Sequence, residues 1–367
     1  MKFVSNKERL IDAIQVVQRA VSLKNPLPIL SGIKFETIDS RVSLTATDLD
    51  IGIRCSFPAE ILEPGAAVLP AKYIGDLVRR LPDLPVFFEL DRDTGGVTVR
   101  YGQSEAVING FPAEEFPEFP IPESEINFGV TEAVLKEVIK QVVYAAGTDE
   151  NRPIYTGVFF EINGGFAQVV ATDTHRLAWR RLPLDNCENI DINFLIPGKT
   201  LNELSKIISE ADRPVKVTVA ETRALFATDD ICLISRLIDG KFPNYRHVIP
   251  GEHIAKVRLR TRDLAEATER ASFLARDGSP VVKLDIGENS LVVSINTEAG
   301  RVREEMPIHL EGEPVQIAFN ARYLGDVLKV IGSEEMIMEF TGPLSPGIVR
   351  PAGDKEYFSL ILPVRLR

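Results

Sequence analysis

The chain has 367 residues, 44% hydrophobic and 26% charged, which suggests two or three domains with apolar cores and excludes a disorder-type composition. No apolar run approaches the ~20 residues of a membrane span, and the three cysteines, Cys55, Cys187 and Cys232, have no CxxC pair, so neither a disulfide framework nor a zinc site is expected. The formal net charge of −11 speaks against a uniformly basic nucleic-acid binder.

The start, Met1-Lys2-Phe3-Val4-Ser5-Asn6, runs directly into a helix instead of a signal peptide, which predicts a cytoplasmic protein. A strand over 1–5 precedes a helix over 5–24 whose apolar stripe is Leu10, Ile11, Ile14, Val17 and Val21. The next strands surround the turn Asp39-Ser40. The pattern then restarts: a strand over 67–70, a helix over 72–81 with the stripe Tyr73, Ile74, Leu77, Val78 and Leu81, and strands over 86–90, 97–101 and 106–111. A proline-rich stretch, 111–122, closes this first unit. The middle unit has helices over 132–143 and 199–208, with strands 159–162 and 167–171 flanking Asn163-Gly164-Gly165, a hairpin turn that needs positive φ. Phe242-Pro243-Asn244-Tyr245 closes it. Helices over 262–276 and 322–331 and the turn Gly287-Glu288-Asn289 follow in the third.

These elements form a threefold repeat. Thr47, Thr172 and Thr297 stand 125 and 125 residues apart in matching strand ends, Leu10, Leu135 and Leu264 begin matching helices, and Lys72, Lys199 and Arg322 begin the second set. Each unit reads as two βαβββ halves, each burying a helix face and a sheet face against its twin. The fold class is therefore α+β, with six helices, about 24 strands and domains at 1–122, 123–251 and 252–367.

The second helix of every unit opens with a cation and carries another seven residues later: Lys72 and Arg79, Lys199 and Lys206, Arg322 and Lys329. Seven residues are about two turns, so each pair shares a helix face. A cation in a first turn opposes the macrodipole, so helix stability does not select it. The six helices hold sixteen cations and ten acids, leaving the rest of the chain at −17. Such a protein repels a duplex over most of its surface and tolerates one along its helices, although exposed Lys often serves solubility alone.

With those residues in place, the chain resembles the bacterial DNA polymerase sliding clamps, the β subunits of polymerase III holoenzymes. The resemblance spans its whole length and rests on Leu27-Pro28-Ile29-Leu30, Ala171-Thr172-Asp173-Thr174-His175-Arg176-Leu177-Ala178, Phe242-Pro243-Asn244-Tyr245-Arg246 and Leu362-Pro363-Val364-Arg365-Leu366. It implies a head-to-tail homodimer whose six domains form a ring, helices inside and sheets outside. That ring is a non-catalytic processivity factor on double-stranded DNA, held by topology without reading sequence, and it needs no cofactor or metal. Candidate DNA-facing cations are Lys24, Lys72, Arg79, Arg80, Lys136, Lys140, Lys199, Lys206, Arg322 and Lys329.

The resemblance also implies an apolar groove that receives short linear motifs of the replicative polymerase α subunit, the clamp loader, other polymerases and repair proteins. By matching motif positions it involves Ile154, Thr172, Thr174, His175, Arg176, Leu177, Pro243, His247, Val248, Tyr323, Leu360, Leu362, Pro363, Val364 and Arg365, with Arg176 and Arg365 as its polar rim. By sequence alone, Leu177, Val248 and Leu360 read better as ordinary core. Thr174 stands where the family loop usually has Gly, and Arg367 extends past the usual terminal Leu; both bear on peptide preference. The implied dimer joint places Val107 and Ile108 near Phe273 and Leu274 of a second copy.

Three other readings compete. His175 beside Asp173 suggests a general base, but no nucleophile or metal set accompanies the pair. A repair nuclease needs closely spaced carboxylates for two metals, and the acids here are scattered. A scaffold without DNA leaves the recurrent helix cations unexplained.

Overall fold

The computed structural model describes residues 1–22, 27–122, 126–184, 187–274, 281–298 and 300–365. They form two compact units, Met1–Ala133 with Lys206–Leu237, and Val134–Ser205 with Ile238–Arg367. Among the described residues six long helices match the six expected, and a seventh, the single turn Pro153–Thr156, is additional.

In the first unit a five-stranded sheet runs Glu60–Glu63, Lys2–Ser5, Val86–Leu90, Gly96–Tyr101, Ser104–Asn109. An eight-stranded sheet runs Asn127–Thr131, Pro214–Val219, Arg223–Ala227, Ile231–Arg236, Ile51–Pro58, Arg41–Thr47, Gly32–Ile38, Gly65–Pro70. Aromatic stacking joins the two layers, with Phe88 of the smaller sheet 4.7 Å from Phe3 and 5.9 Å from Phe35 of the larger. Helices Lys7–Val17 and Ala71–Arg80 pack on each other and bury Leu10, Ala13, Ile14 and Val17 and Ala71, Ile74 and Val78.

The second unit repeats this plan. Its nine-stranded sheet runs Asp191–Pro197, Gly157–Asn163, Phe166–Thr172, Arg176–Pro183, Tyr357–Ile361, Gly347–Pro351, Glu335–Phe340, Ala255–Arg260, His309–Gly312. A four-stranded sheet, Gly300–Pro307, Ser290–Thr297, Val281–Ile286, Val315–Asn320, faces it, with Phe319 stacked on Phe340 at 6.4 Å. Helices Thr261–Phe273 and Ala321–Leu328 pack together, with Leu264, Ala267, Leu324 and Val327 inside one apolar cluster.

Three details depart from the sequence reading. The first helix spans Lys7–Val17 instead of 5–24, because Ser5 is paired in the strand with Val86 and Asn6 caps the helix by accepting from the Arg9 N–H at 3.0 Å. A 3-10 turn, Gln18–Ala20, follows, and Lys24 lies outside the described residues.

There are twenty-six strands among the described residues, two more than expected. The additional pair, Glu60–Glu63 and His309–Gly312, follow Pro58 and Pro307, where the chain leaves one sheet and joins the other. Proline has no N–H for the ladder, which makes such a position a natural place to change sheets.

The third departure concerns pairing. The halves of the middle repeat do not close a sheet only on each other. Ile231–Arg236 pairs with Ile51–Pro58 of the first repeat, Leu233 opposite Ile53, and Arg176–Pro183 pairs with Tyr357–Ile361 of the third, Leu177 opposite Leu360. Edge strands carry unpaired N–H and C=O groups, and continuing the sheet into the neighbouring repeat satisfies them.

Candidate functional site

The recurrent helices are built alike. Ala71–Arg80, Gly198–Ile207 and Ala321–Leu328 each bury an apolar stripe and leave the matched cations on the other side: Lys72 and Arg79, Lys199 and Lys206, and Arg322 and Lys329 are all exposed. None of the three has an acid in its first turn, whereas Lys7–Val17, Glu132–Val142 and Thr261–Phe273 begin with Glu8, Glu132 and Asp263. The positive pole of each of the three dipoles is therefore reinforced by a cation instead of neutralised. Asp76 pairs with Arg79 at 2.6 Å and Arg80 at 3.6 Å, and the hydrogen bond from Arg79 holds its carboxyl below the usual range. Lys329 lies one residue past its helix, 3.6 Å from Asp326. Lys140 is exposed and Lys136 half-buried.

The groove residues gather in the second unit around a tight loop. Thr172 ends one strand and Arg176 begins the next. Between them, Thr172 Oγ1 donates to the Arg176 carbonyl at 2.7 Å and accepts from the Thr174 N–H at 3.1 Å. Asp173 Oδ1 accepts from the N–H groups of His175 and Arg176 at 2.9 and 3.0 Å. Thr174 has φ 79°, a left-handed conformation that is usually left to Gly, Asn or Asp. This cage holds the loop open and presents Thr174 and His175 to solvent.

Arg176 is not a rim residue. Its side chain is 8% exposed and bridges Asp173 at 3.0 Å and Asp326 at 2.7 Å, with its guanidinium 4.5 Å from the Tyr323 ring and 5.4 Å from Tyr144. A guanidinium placed between two aromatic faces and two carboxylates is a structural clamp. It fixes Tyr323, on which His175 stacks at 6.2 Å. Leu177 and Leu360 are buried at 2% exposure in one cluster with Phe242 and Tyr245, and Ile154 packs against it. Thr172 is also buried. Those two leucines follow the ordinary-core reading; Val248 does not, being 51% exposed.

Above this floor the surface is open. Pro243 and His247 are exposed, Leu362 is 38% exposed, and Pro363 and Val364 are half-buried. The tail is held by main-chain bonds, Leu362 N–H to the His175 carbonyl at 2.9 Å and Val364 N–H to the Ala318 carbonyl at 2.8 Å. Arg365 is exposed; Leu366 and Arg367 lie outside the described residues. Sequence reasoning missed Tyr144 and Asp326, which hold Arg176 from far along the chain and carry no local signal.

The residues expected at the joint lie on the outer strand of one sheet and at the C-terminal end of the helix Thr261–Phe273. Ser104–Asn109 is the outer strand of its sheet, with Val107 62% exposed and Ile108 half-buried. Phe273 is 65% exposed, and Leu274 packs against the core of the second unit. Among the described residues no cluster of His, Cys, Asp or Glu is arranged to hold a metal ion.

Comparison with known proteins accounts for the whole chain. Residues 1–120, 129–244 and 246–365 match the N-terminal, central and C-terminal domains of the DNA polymerase III beta subunit. The chain belongs to the beta sliding clamp family. The beta sliding clamp of Bacillus subtilis is 37% identical over the full length of both chains. A crystal structure of the Bacillus subtilis clamp superimposes with a TM-score of 0.96, again over the full length of both. The DnaN sliding clamp of Pseudomonas aeruginosa bound to griselimycin, 28% identical, superimposes at 0.95 with the same coverage. As a beta sliding clamp the chain is a non-catalytic processivity factor of a DNA polymerase, and nothing in these relatives supports a nuclease.

Proposed function

We propose that this clamp acts in the cytoplasm as a homodimeric ring of six domains, three per chain at 1–122, 123–251 and 252–367, that encircles duplex DNA without reading its sequence. The observation that carries the reading is the exposed cation pair repeated on three helices with no first-turn acid. A duplex bears one negative charge per ~1.7 Å, so a layer of such helices attracts it while the acidic remainder of the chain discourages binding elsewhere. Lys72, Arg79, Arg80, Lys136, Lys140, Lys199, Lys206, Arg322 and Lys329 are the contacts we assign, Lys24 joining them from outside the described residues. Backbone contacts of this kind permit sliding because they carry no base information.

The groove around His175, Tyr323, Val248 and Leu362 is assigned to short linear motifs of the replicative polymerase, the clamp loader and other partners. Its exposed apolar side chains on a rigid, hydrogen-bonded frame suit a peptide that orders on binding. Tethering a polymerase in this way raises its effective concentration at the primer end. The test is retention of loaded protein on nicked circular DNA and its loss on linearisation. Equal retention on both forms refutes encirclement. Deleting 362–367 should abolish binding of a labelled polymerase tail peptide by fluorescence anisotropy, and unchanged affinity refutes the groove.

A further inference from the structure

The first unit contains a loop with the same bonding as the one that frames the groove. Thr47 Oγ1 donates to the Ile51 carbonyl at 2.9 Å and accepts from the Leu49 N–H at 2.9 Å. Asp48 Oδ1 accepts from the N–H groups of Asp50 and Ile51 at 3.0 and 2.8 Å. Leu49 has φ 80°, beside 79° for Thr174. The strand that follows is paired equivalently, Gly52 opposite Ile234 as Leu177 is opposite Leu360. What differs is the cover. Phe119 lies across Gly52, where an added Cβ would come 3.0 Å from Phe119 Cε2, and the Arg54 guanidinium sits 4.4 Å from the Phe119 ring. Thr45, Thr47, Leu49, Ile234 and segment 117–120 leave a cavity of only about 60 Å³ between them.

We propose that this is a second peptide groove of the same kind, and that Pro117-Glu118-Phe119-Pro120 is its built-in occupant, a short proline-flanked aromatic peptide supplied by the chain itself. The proposal rests on the reading of the 172–177 groove as a peptide site. Both linkers contain a buried Phe followed by Pro, Phe116-Pro117 and Phe242-Pro243. The second linker then turns inward: Phe242 stacks on Phe159 at 4.8 Å, and Tyr245, 4% exposed, donates its hydroxyl to Glu161 and Gln168. Leu177 and Trp179 stand where the first repeat has Gly52 and Arg54. With the linker tucked away and leucine in the floor, the second groove stays open; with glycine in the floor, the first accepts Phe119. A tethered segment has an effective concentration of order mM, so free peptide at lower concentration does not displace it.

The probe is a fluorescein-labelled peptide copying residues 114–121, Glu-Glu-Phe-Pro-Glu-Phe-Pro-Ile, added to the full chain. Phe119→Ala should bind it at least tenfold more tightly than the unsubstituted chain, with one added equivalent per protomer by calorimetry. Adding Gly52→Leu should remove that equivalent. Deleting 362–367 in the Phe119→Ala background separates the sites: persistence places the peptide in the first groove, and loss places it in the second and overturns the proposal. No added equivalent in a folded Phe119→Ala variant also overturns it, while leaving binding of partner peptides at the 172–177 groove to be judged by its own deletion. Should Phe119→Ala not fold, the double variant Pro117→Gly, Pro120→Gly keeps both phenyl rings, Phe116 and Phe119, and loosens the segment. It must then admit the peptide, and if it does not, the proposal fails.

Discussion

The Arg176 clamp yields the sharpest quantitative expectation. Arg176→Met keeps much of the aliphatic bulk and removes the charge. It leaves Asp173, 14% exposed, without its cation and Asp326, 22% exposed, with only the exposed Lys329 at 3.6 Å, and it removes two cation–π contacts. Breaking a buried pair by deleting one partner costs about 3–5 kcal/mol, because an uncompensated charge remains. Asp173 still accepts two main-chain N–H bonds, which places the loss near the lower end, about 3 kcal/mol. That is about a hundredfold in the folded-to-unfolded ratio. Asp326→Asn removes one charge and retains an acceptor, so it should cost about 1–2 kcal/mol. Urea unfolding followed by the fluorescence of Trp179, which lies in the strand that Arg176 begins, reports the relevant transition. Because Arg176 also holds Tyr323 under His175, peptide affinity should fall in the same variant below its unfolding midpoint. An Arg176→Met protein within about 0.5 kcal/mol of the parent refutes the clamp.

Charge reversal of Lys72, Lys199 and Arg322 to Glu should weaken direct DNA association independently of sequence. It should also reduce the slope of log K against log salt by about 3 for each protomer whose three cations contact phosphate, since each such contact contributes about 0.9; an unchanged slope removes these residues from the DNA-facing set. Phe273→Asp should give a monomer by sedimentation, because a charge placed in an apolar joint without a partner costs several kcal/mol; a persistent dimer takes Phe273 out of the joint. Gly312→Ala should destabilise the second unit by more than about 1 kcal/mol, since φ is +102° and the new Cβ would lie 2.0 Å from the Ile254 carbonyl oxygen. A thermal midpoint equal to the parent's contradicts that steric account.

What the sequence by itself determined was whatever repeats locally. The apolar stripes of the helices, the Asn163-Gly164-Gly165 turn with φ of 58° and 83° at its glycines, and the cation pairs seven residues apart all depend on one element; they are present except that Val21, Leu81 and Lys329 fall just past their helix ends and Tyr73 of the second stripe is 64% exposed. Loop residues whose side chains bond to their own backbone, such as Thr172 and Asp173, were legible as a motif for the same reason. Tertiary structure decided which repeat completes which sheet. Strand pairing between Ile231–Arg236 and Ile51–Pro58 is made by main-chain groups that every residue carries, so no side-chain pattern announces it. It likewise decided the fate of Arg176, which a charge-based reading places at the surface. Asp326, 150 residues away, and two tyrosine faces draw it inside, and only the folded chain brings those groups within reach.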